Sequence, residues 1–173
     1  MLNRGIELGE TFLGYAERLF LALANLALLA MLVINAVNIL WRGATGQNLN
    51  LDWPWTALLF VWMTFFGFFV IYRRATDITV DYFVDLMGHK ALVATRLLSD
   101  IITVGLMCLL LAEAPRTLAS QVGDMELIPL QRYWMSVPLF LSAALVAVHF
   151  LLDLIKALIG IPEVRKSFEH PEA

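Results

Sequence analysis

Asp77, Asp81 and Asp85 recur every fourth residue, directly after the paired cations Arg73 and Arg74. On a helix, carboxylates at that interval fall within about 80° of one another. Such a cluster has two chemical uses, holding a metal ion or trading a proton with a substrate. Either use needs further ligands or a pocket, and His89 is the only nearby residue in the sequence that fits. Ile78, Val80, Tyr82, Phe83, Val84, Leu86 and Met87 fill the rest of the helical circumference with apolar surface. A wet stripe on an otherwise apolar helix describes a segment lying in a membrane interface, so the stretch near 77–88 reads as an amphipathic surface helix. Its period-two alternation also fits a strand, but a lone strand beside lipid leaves its backbone groups unpaired.

A second constellation lies near the C-terminus, where His149 and Asp153 stand at i and i+4. That pair suits a proton relay, the chemistry of a small stand-alone proton-coupled carrier. The bland alternative is structural: Asp153 pairs with Lys156 at i+3, and His149 hydrogen-bonds across a helix contact. Asn25, Asn35 and Asn38 read as fasteners between neighbouring helices rather than ion ligands. Several chemistries are excluded. A diheme membrane cytochrome needs several histidines at membrane depth, and only His149 qualifies. A small proton-coupled drug exporter needs a carboxylate in its first span, which has none. One cysteine, Cys108, excludes an internal disulfide framework and reads as a small buried or lipid-facing residue. No nucleophile–base pair appears, so the chain does not read as an enzyme.

The elements that carry these residues are set by composition. Of 173 residues 60% are hydrophobic and 16% charged, against about 45–50% and about 25% in a soluble domain. That excess has to face lipid. Crossing about 30 Å of hydrocarbon takes roughly 20 apolar residues, and four stretches qualify, at about 19–41, 55–72, 96–116 and 134–156. The third is the weakest, because Asp100 and Glu113 bound a short uncharged run. It gains length by extending to Arg96 and Arg116, with Arg96 and Asp100 placed to pair at i and i+4. The expectation is an all-α integral membrane protein of one membrane domain over 1–173, with four transmembrane helices. Its first apolar run is too long for a removable signal peptide.

Charge sets the orientation. With four spans, Arg4, Arg18, Arg73, Arg74, Lys90, Arg96, Lys156, Arg165 and Lys166 share one side, and Arg42, Arg116 and Arg132 the other. The positive-inside rule then places both termini in the cytoplasm. Trp41, Trp53, Trp55 and Trp134 fall near the outer ends of spans, as interfacial tryptophans do. Gly43, Gly46, Asn48 and Asn50 make the first outer loop turn-like, and the second, about 114–133, carries Pro115, Gly123 and Pro129 with room for a short helix. Arg73 and Arg74 are expected at headgroup level, on lipid phosphate or on the aspartate stripe. The net charge of −3 and scattered basic residues show no nucleic-acid footprint.

Several local features carry a resemblance. Arg42 ends the first span, Trp53 precedes the second, and that span reads LLFVWMTFFGFFVIYRR, with Leu59, Phe60, Trp62 and Gly67 in a Leu-Phe-x-Trp…Gly pattern. Arg73 is followed by the Ile-x-Val-Asp segment that contains Asp81, and Tyr133 and Pro138 form an aromatic-then-proline entry to the fourth span. In these respects the chain resembles the DctQ-type small membrane subunit of TRAP (tripartite ATP-independent periplasmic) transporters. It departs from the pattern at Pro54-Trp55-Thr56, at Asp77 and at Phe68-Phe69. The resemblance implies a non-catalytic subunit in a bacterial inner membrane. It would scaffold a large DctM-type transport subunit and help dock a periplasmic DctP-type binding protein for sodium-coupled organic acid uptake. No cofactor is implied in this chain, and sodium belongs to the large partner. The implied contacts, with protein or lipid headgroups, are Arg42, Trp53, Arg73, Arg74, Asp77, Asp81, Asp85 and Tyr133.

Overall fold

A computed structural model of the chain describes residues 2–47, 52–74, 89–125 and 128–159. Helix α1 runs Leu2–Thr45, α2 Asp52–Arg74, α3 His89–Ser120 and α4 Val137–Ile159. All four are long and apolar enough to cross a membrane, so the chain is an all-α, multi-pass membrane protein. The surface helix expected near 77–88, with Asp77, Asp81 and Asp85, lies outside the described residues.

The helices outrun the spans that hydropathy marks. α1 has 44 residues, so at 1.5 Å each it is about 66 Å long, roughly twice the hydrocarbon thickness. Nothing in Leu2–Thr45 breaks it: it contains no proline, and one apolar stripe continues through its first half. It ends at Gly46, whose φ of 71° an L side chain rarely adopts. The Gly46 N–H donates to the Arg42 carbonyl at 2.9 Å, closing the last turn. In α2, Pro54 sits in the first turn, where its missing N–H costs nothing.

Two loop expectations change. Pro115 was assigned to the second outer loop, yet α3 continues through it to Ser120. The Leu111 carbonyl loses its i→i−4 donor there, and the helix nevertheless runs five residues beyond the proline. Beyond Gly123, whose φ is 115°, the chain forms an antiparallel strand pair, β1 Asp124–Met125 and β2 Ile128–Gln131. The Arg132 N–H closes it on the Gly123 carbonyl at 3.0 Å. The short helix expected in this loop is a 3-10 turn over Arg132–Met135, directly before α4.

The packing order is α1–α2–α4–α3, a row in which α3 rests mainly on α4. The core lies among α1, α2 and α4. On α1, Leu13, Phe20, Ala24 and Ala27 are buried, and their spacing puts them on one face. The Phe20 ring meets Phe66 and Phe69 of α2 edge-on at centroid distances of 5.0 and 5.5 Å. Val146 of α4 completes this cluster. The fully buried Ser142 hydroxyl donates to the Phe65 carbonyl, tying α4 to α2 at membrane depth. At the far end the Trp62 indole N–H donates to the Trp134 carbonyl at 2.9 Å.

Candidate functional site: an ion-paired ring at the helix ends

The apolar stripe of α1 has charged members. Glu10 and Glu17 stand seven residues apart in register with Leu13 and Phe20, so they share that face, Glu10 one turn before Leu13 and Glu17 one turn before Phe20. That face packs on α2, whose last turn holds Arg73 and Arg74. On α4, His149, Asp153 and Lys156 follow Val146 at intervals of three and four, which extends its buried face to its C-terminal end. Three helices thus bring seven ionisable side chains to one level.

Arg73 is the hub. Its Nη2 lies 2.7 Å from Glu10 Oε2 and also donates to the Glu10 carbonyl at 3.3 Å. Its Nε lies 3.6 Å from Glu17 Oε2, and its Nη1 lies 3.4 Å from His149 Nδ1. Arg74 Nε meets Glu17 Oε1 at 2.7 Å. Lys156 donates to Glu10 Oε1 and, at 3.3 Å, lies beside Asp153 Oδ1. Asp153 Oδ2 is 3.7 Å from His149 Nε2, which closes the circuit. The links run Arg73–Glu10–Lys156–Asp153–His149–Arg73, and Arg74 and Glu17 are attached at Arg73. Arg73 and His149 side chains are each 13% exposed, so the ring is largely withdrawn from water.

The charges balance. Arg73, Arg74 and Lys156 face Glu10, Glu17 and Asp153, three against three, with the imidazole neutral. Balance matters here, because an uncompensated charge beside hydrocarbon costs several kcal/mol. Glu10, Glu17 and Asp153 each face at least one cation within the ring, so the ring fastens helices, although Arg73 Nε has no hydrogen-bond partner among the described residues and only the 3.6 Å approach of Glu17.

The candidate residues named from the sequence are distributed as follows. Arg73 and Arg74 are expected on lipid phosphate or on the aspartate stripe; among the described residues Arg73 meets Glu10 and Glu17, and Arg74 meets Glu17. Arg74 remains 45% exposed. Arg42 is exposed in the last turn of α1, at the opposite end from the ring. Trp53 lies in the first turn of α2. The Tyr133 ring stacks on Trp134 at 5.6 Å in the 3-10 turn. Asp77, Asp81 and Asp85 lie outside the described residues. The His149–Asp153 and Asp153–Lys156 spacings do produce contacts, but both are absorbed into the ring. Asn35 differs from expectation: its amide donates to the Met31 carbonyl of its own helix at 2.8 Å rather than fastening a neighbour. Cys108 is exposed on α3.

Glu10 and Glu17 were not singled out from the sequence. Their signal was present in the spacing 10, 13, 17, 20, 24, 27, a stripe of threes and fours that crosses from charged to apolar residues without changing face. Hydropathy hides it by ending the span at 19.

A family model described as the DctQ component of tripartite ATP-independent periplasmic transporters matches residues 30–160. Neither the curated proteins nor the solved structures gave a match. The matched stretch takes in Arg73, Arg74, His149, Asp153 and Lys156 but stops short of Glu10 and Glu17.

Proposed function

Because the chain belongs to the DctQ family of tripartite ATP-independent periplasmic transporters, a family of transporter components and not of enzymes, we propose that it is a non-catalytic scaffold. In this reading it widens the stationary part of a large DctM-type membrane subunit that carries the substrate and sodium sites. It also helps dock a periplasmic DctP-type binding protein that delivers an organic acid, commonly a carboxylate. Its membrane is the bacterial inner membrane, and both termini face the cytoplasm. The ring then lies at the cytoplasmic headgroups, and the hairpin with Tyr133 and Trp134 lies on the periplasmic side.

One observation carries this reading beyond the family match. The row α1–α2–α4–α3 buries little of its two end helices, and Leu26, Leu29, Leu32 and Val33 of α1 and Leu98, Ile101, Ile102, Leu106 and Leu109 of α3 are exposed. Among the described residues, the ionisable side chains of the ring are by contrast engaged with one another across α1, α2 and α4. Apolar surface to spare and no free chemistry at depth suit a subunit that supports another. The stand-alone carrier built on His149 and Asp153 is disfavoured, since Arg73 and Lys156 already engage both residues.

The test is purification in mild detergent from cells that express the whole transport system. A stable assembly with a membrane subunit several times larger is expected. A chain that stays alone and by itself supports solute uptake in liposomes defeats the proposal. Orientation is tested separately with a single cysteine at position 74 in a Cys108→Ser background. Labelling is expected from the cytoplasmic side, and labelling only from outside reverses the topology.

A further inference from the structure

Imidazole is the one side-chain type in the ring whose unperturbed charge change falls between about pH 5 and 8, and the geometry at His149 requires one state. Arg73 Nη1 has only hydrogens to offer, so at 3.4 Å the facing His149 Nδ1 serves as the acceptor. The proton of the neutral imidazole is then on Nε2, which points at Asp153 Oδ2, 3.7 Å away. A second proton on His149 lands on Nδ1, where it faces the guanidinium. The contact becomes cation against cation, while the Nε2–H toward Asp153 becomes charge-assisted.

The charged groups acting on the imidazole come from every helix of the core. They are Arg73 on α2, Glu10 on α1, and Asp153 and Lys156 on α4; among the described residues no charged group of α3 adds to them. Protonation therefore leaves the α1–α2 pairs of Glu10 and Glu17 with Arg73 and Arg74 in place, together with the α1–α4 pair of Glu10 with Lys156. It removes the Arg73–His149 link, the direct α2–α4 contact within the ring.

We propose that the ring is a proton-sensitive clasp: neutral His149 holds the end of α4 against α2, and protonated His149 releases it. Two further ties, Ser142 of α4 to the Phe65 carbonyl and Trp62 to the Trp134 carbonyl in the 3-10 turn before α4, lie farther along and contain no group that titrates near neutrality. They form the pivot. Acidification on the ring's side of the membrane thus splays one end of the α2–α4 pair and leaves the other joined. This inference concerns the chain itself and holds whether or not it serves as a scaffold for a larger subunit.

The test uses spin-label distances in the full chain, in lipid nanodiscs and a Cys108→Ser background. One pair, Ile71→Cys with Leu151→Cys, reports α2 against α4 at the ring end; the other, Ile71→Cys with Leu19→Cys, reports α2 against α1. All three positions are exposed. From pH 8 to pH 5 the first distance is expected to lengthen by about 2 Å or more, the size of an ordinary helix shift, and the second to stay constant. His149→Gln, which keeps a neutral acceptor, is expected to abolish the change. An unchanged first distance overturns the proposal, and so does a change that persists in His149→Gln, which would assign it to a carboxylate. If His149→Gln does not fold, nitrogen NMR of labelled histidine in the native chain decides: the Nε2–H tautomer at pH 8 is expected, and an Nδ1–H tautomer overturns the proposal.

Discussion

Arg73 holds five donors in a rigid fork, and its neighbours use them on two helices at once. Arg73→Ala strands Glu10 beside Lys156 alone and leaves Glu17 with only the half-exposed Arg74. A loss of about 2–4 kcal/mol is expected, the range for removing one partner of a buried pair. Arg74→Ala removes a 45% exposed side chain with one partner and is expected to cost under about 1 kcal/mol. Thermal unfolding of the two variants in detergent ranks them, and equal losses contradict the hub role of Arg73. At this scale the sequence was half legible. Intervals of three and four along one helix announced His149–Asp153 and Asp153–Lys156. The partners of Arg73 were hidden, because Glu10 is 63 residues away and only the register of α1 on α2 brings them together. Spacing within a helix is a local property; register between helices depends on every contact along the seam.

Among the elements, α1 depends on one close approach. A Cβ added at Gly9 would come within 2.8 Å of Leu152 Cδ1, the end of a flexible side chain, so a small residue there fits if Leu152 turns aside while a β-branched one crowds it. Gly9→Val is expected to destabilise the chain by about 1–3 kcal/mol through overpacking. Leu152→Ala added to that variant is expected to restore part of the loss, a coupling that a double-mutant cycle measures. Two independent, additive losses would place the strain elsewhere. The helices themselves were legible from hydropathy, but their ends were not. Hydropathy reports where lipid begins, whereas a helix stops where its backbone meets a turn, as at Gly46, or a tolerated proline fails to stop it, as at Pro115. The strand pair before α4 was not legible, since strands of two and four residues are too short to show a period.

For the whole molecule, the order α1–α2–α4–α3 puts α3 at an end, where it touches mainly α4. Three helices share the ring, and the fourth joins the bundle chiefly along α4, with Met107 reaching the core. Replacing Leu98, Leu106 and Leu109 of α3 with alanine is therefore expected to leave detergent stability within about 1 kcal/mol, because these side chains are exposed. If α3 meets the large subunit, the same triple variant lowers recovery of the assembly; normal recovery moves that contact to α1. The four spans were readable from the length of the apolar runs and the charges that bound them. Their neighbour relations were not, because apolar surface meets lipid and protein with almost equal ease.

The uninterrupted length of α1 has a mechanical consequence. An α-helix of about 66 Å without a proline hinge behaves as a stiff rod over that distance. Tilting such a rod by a tenth of a radian about the middle of the bilayer moves each of its ends by about 3 Å, in opposite directions. Whatever touches Arg42 and Thr45 on the far side of the membrane is thereby geared to events at Glu10, with the bilayer as the fulcrum.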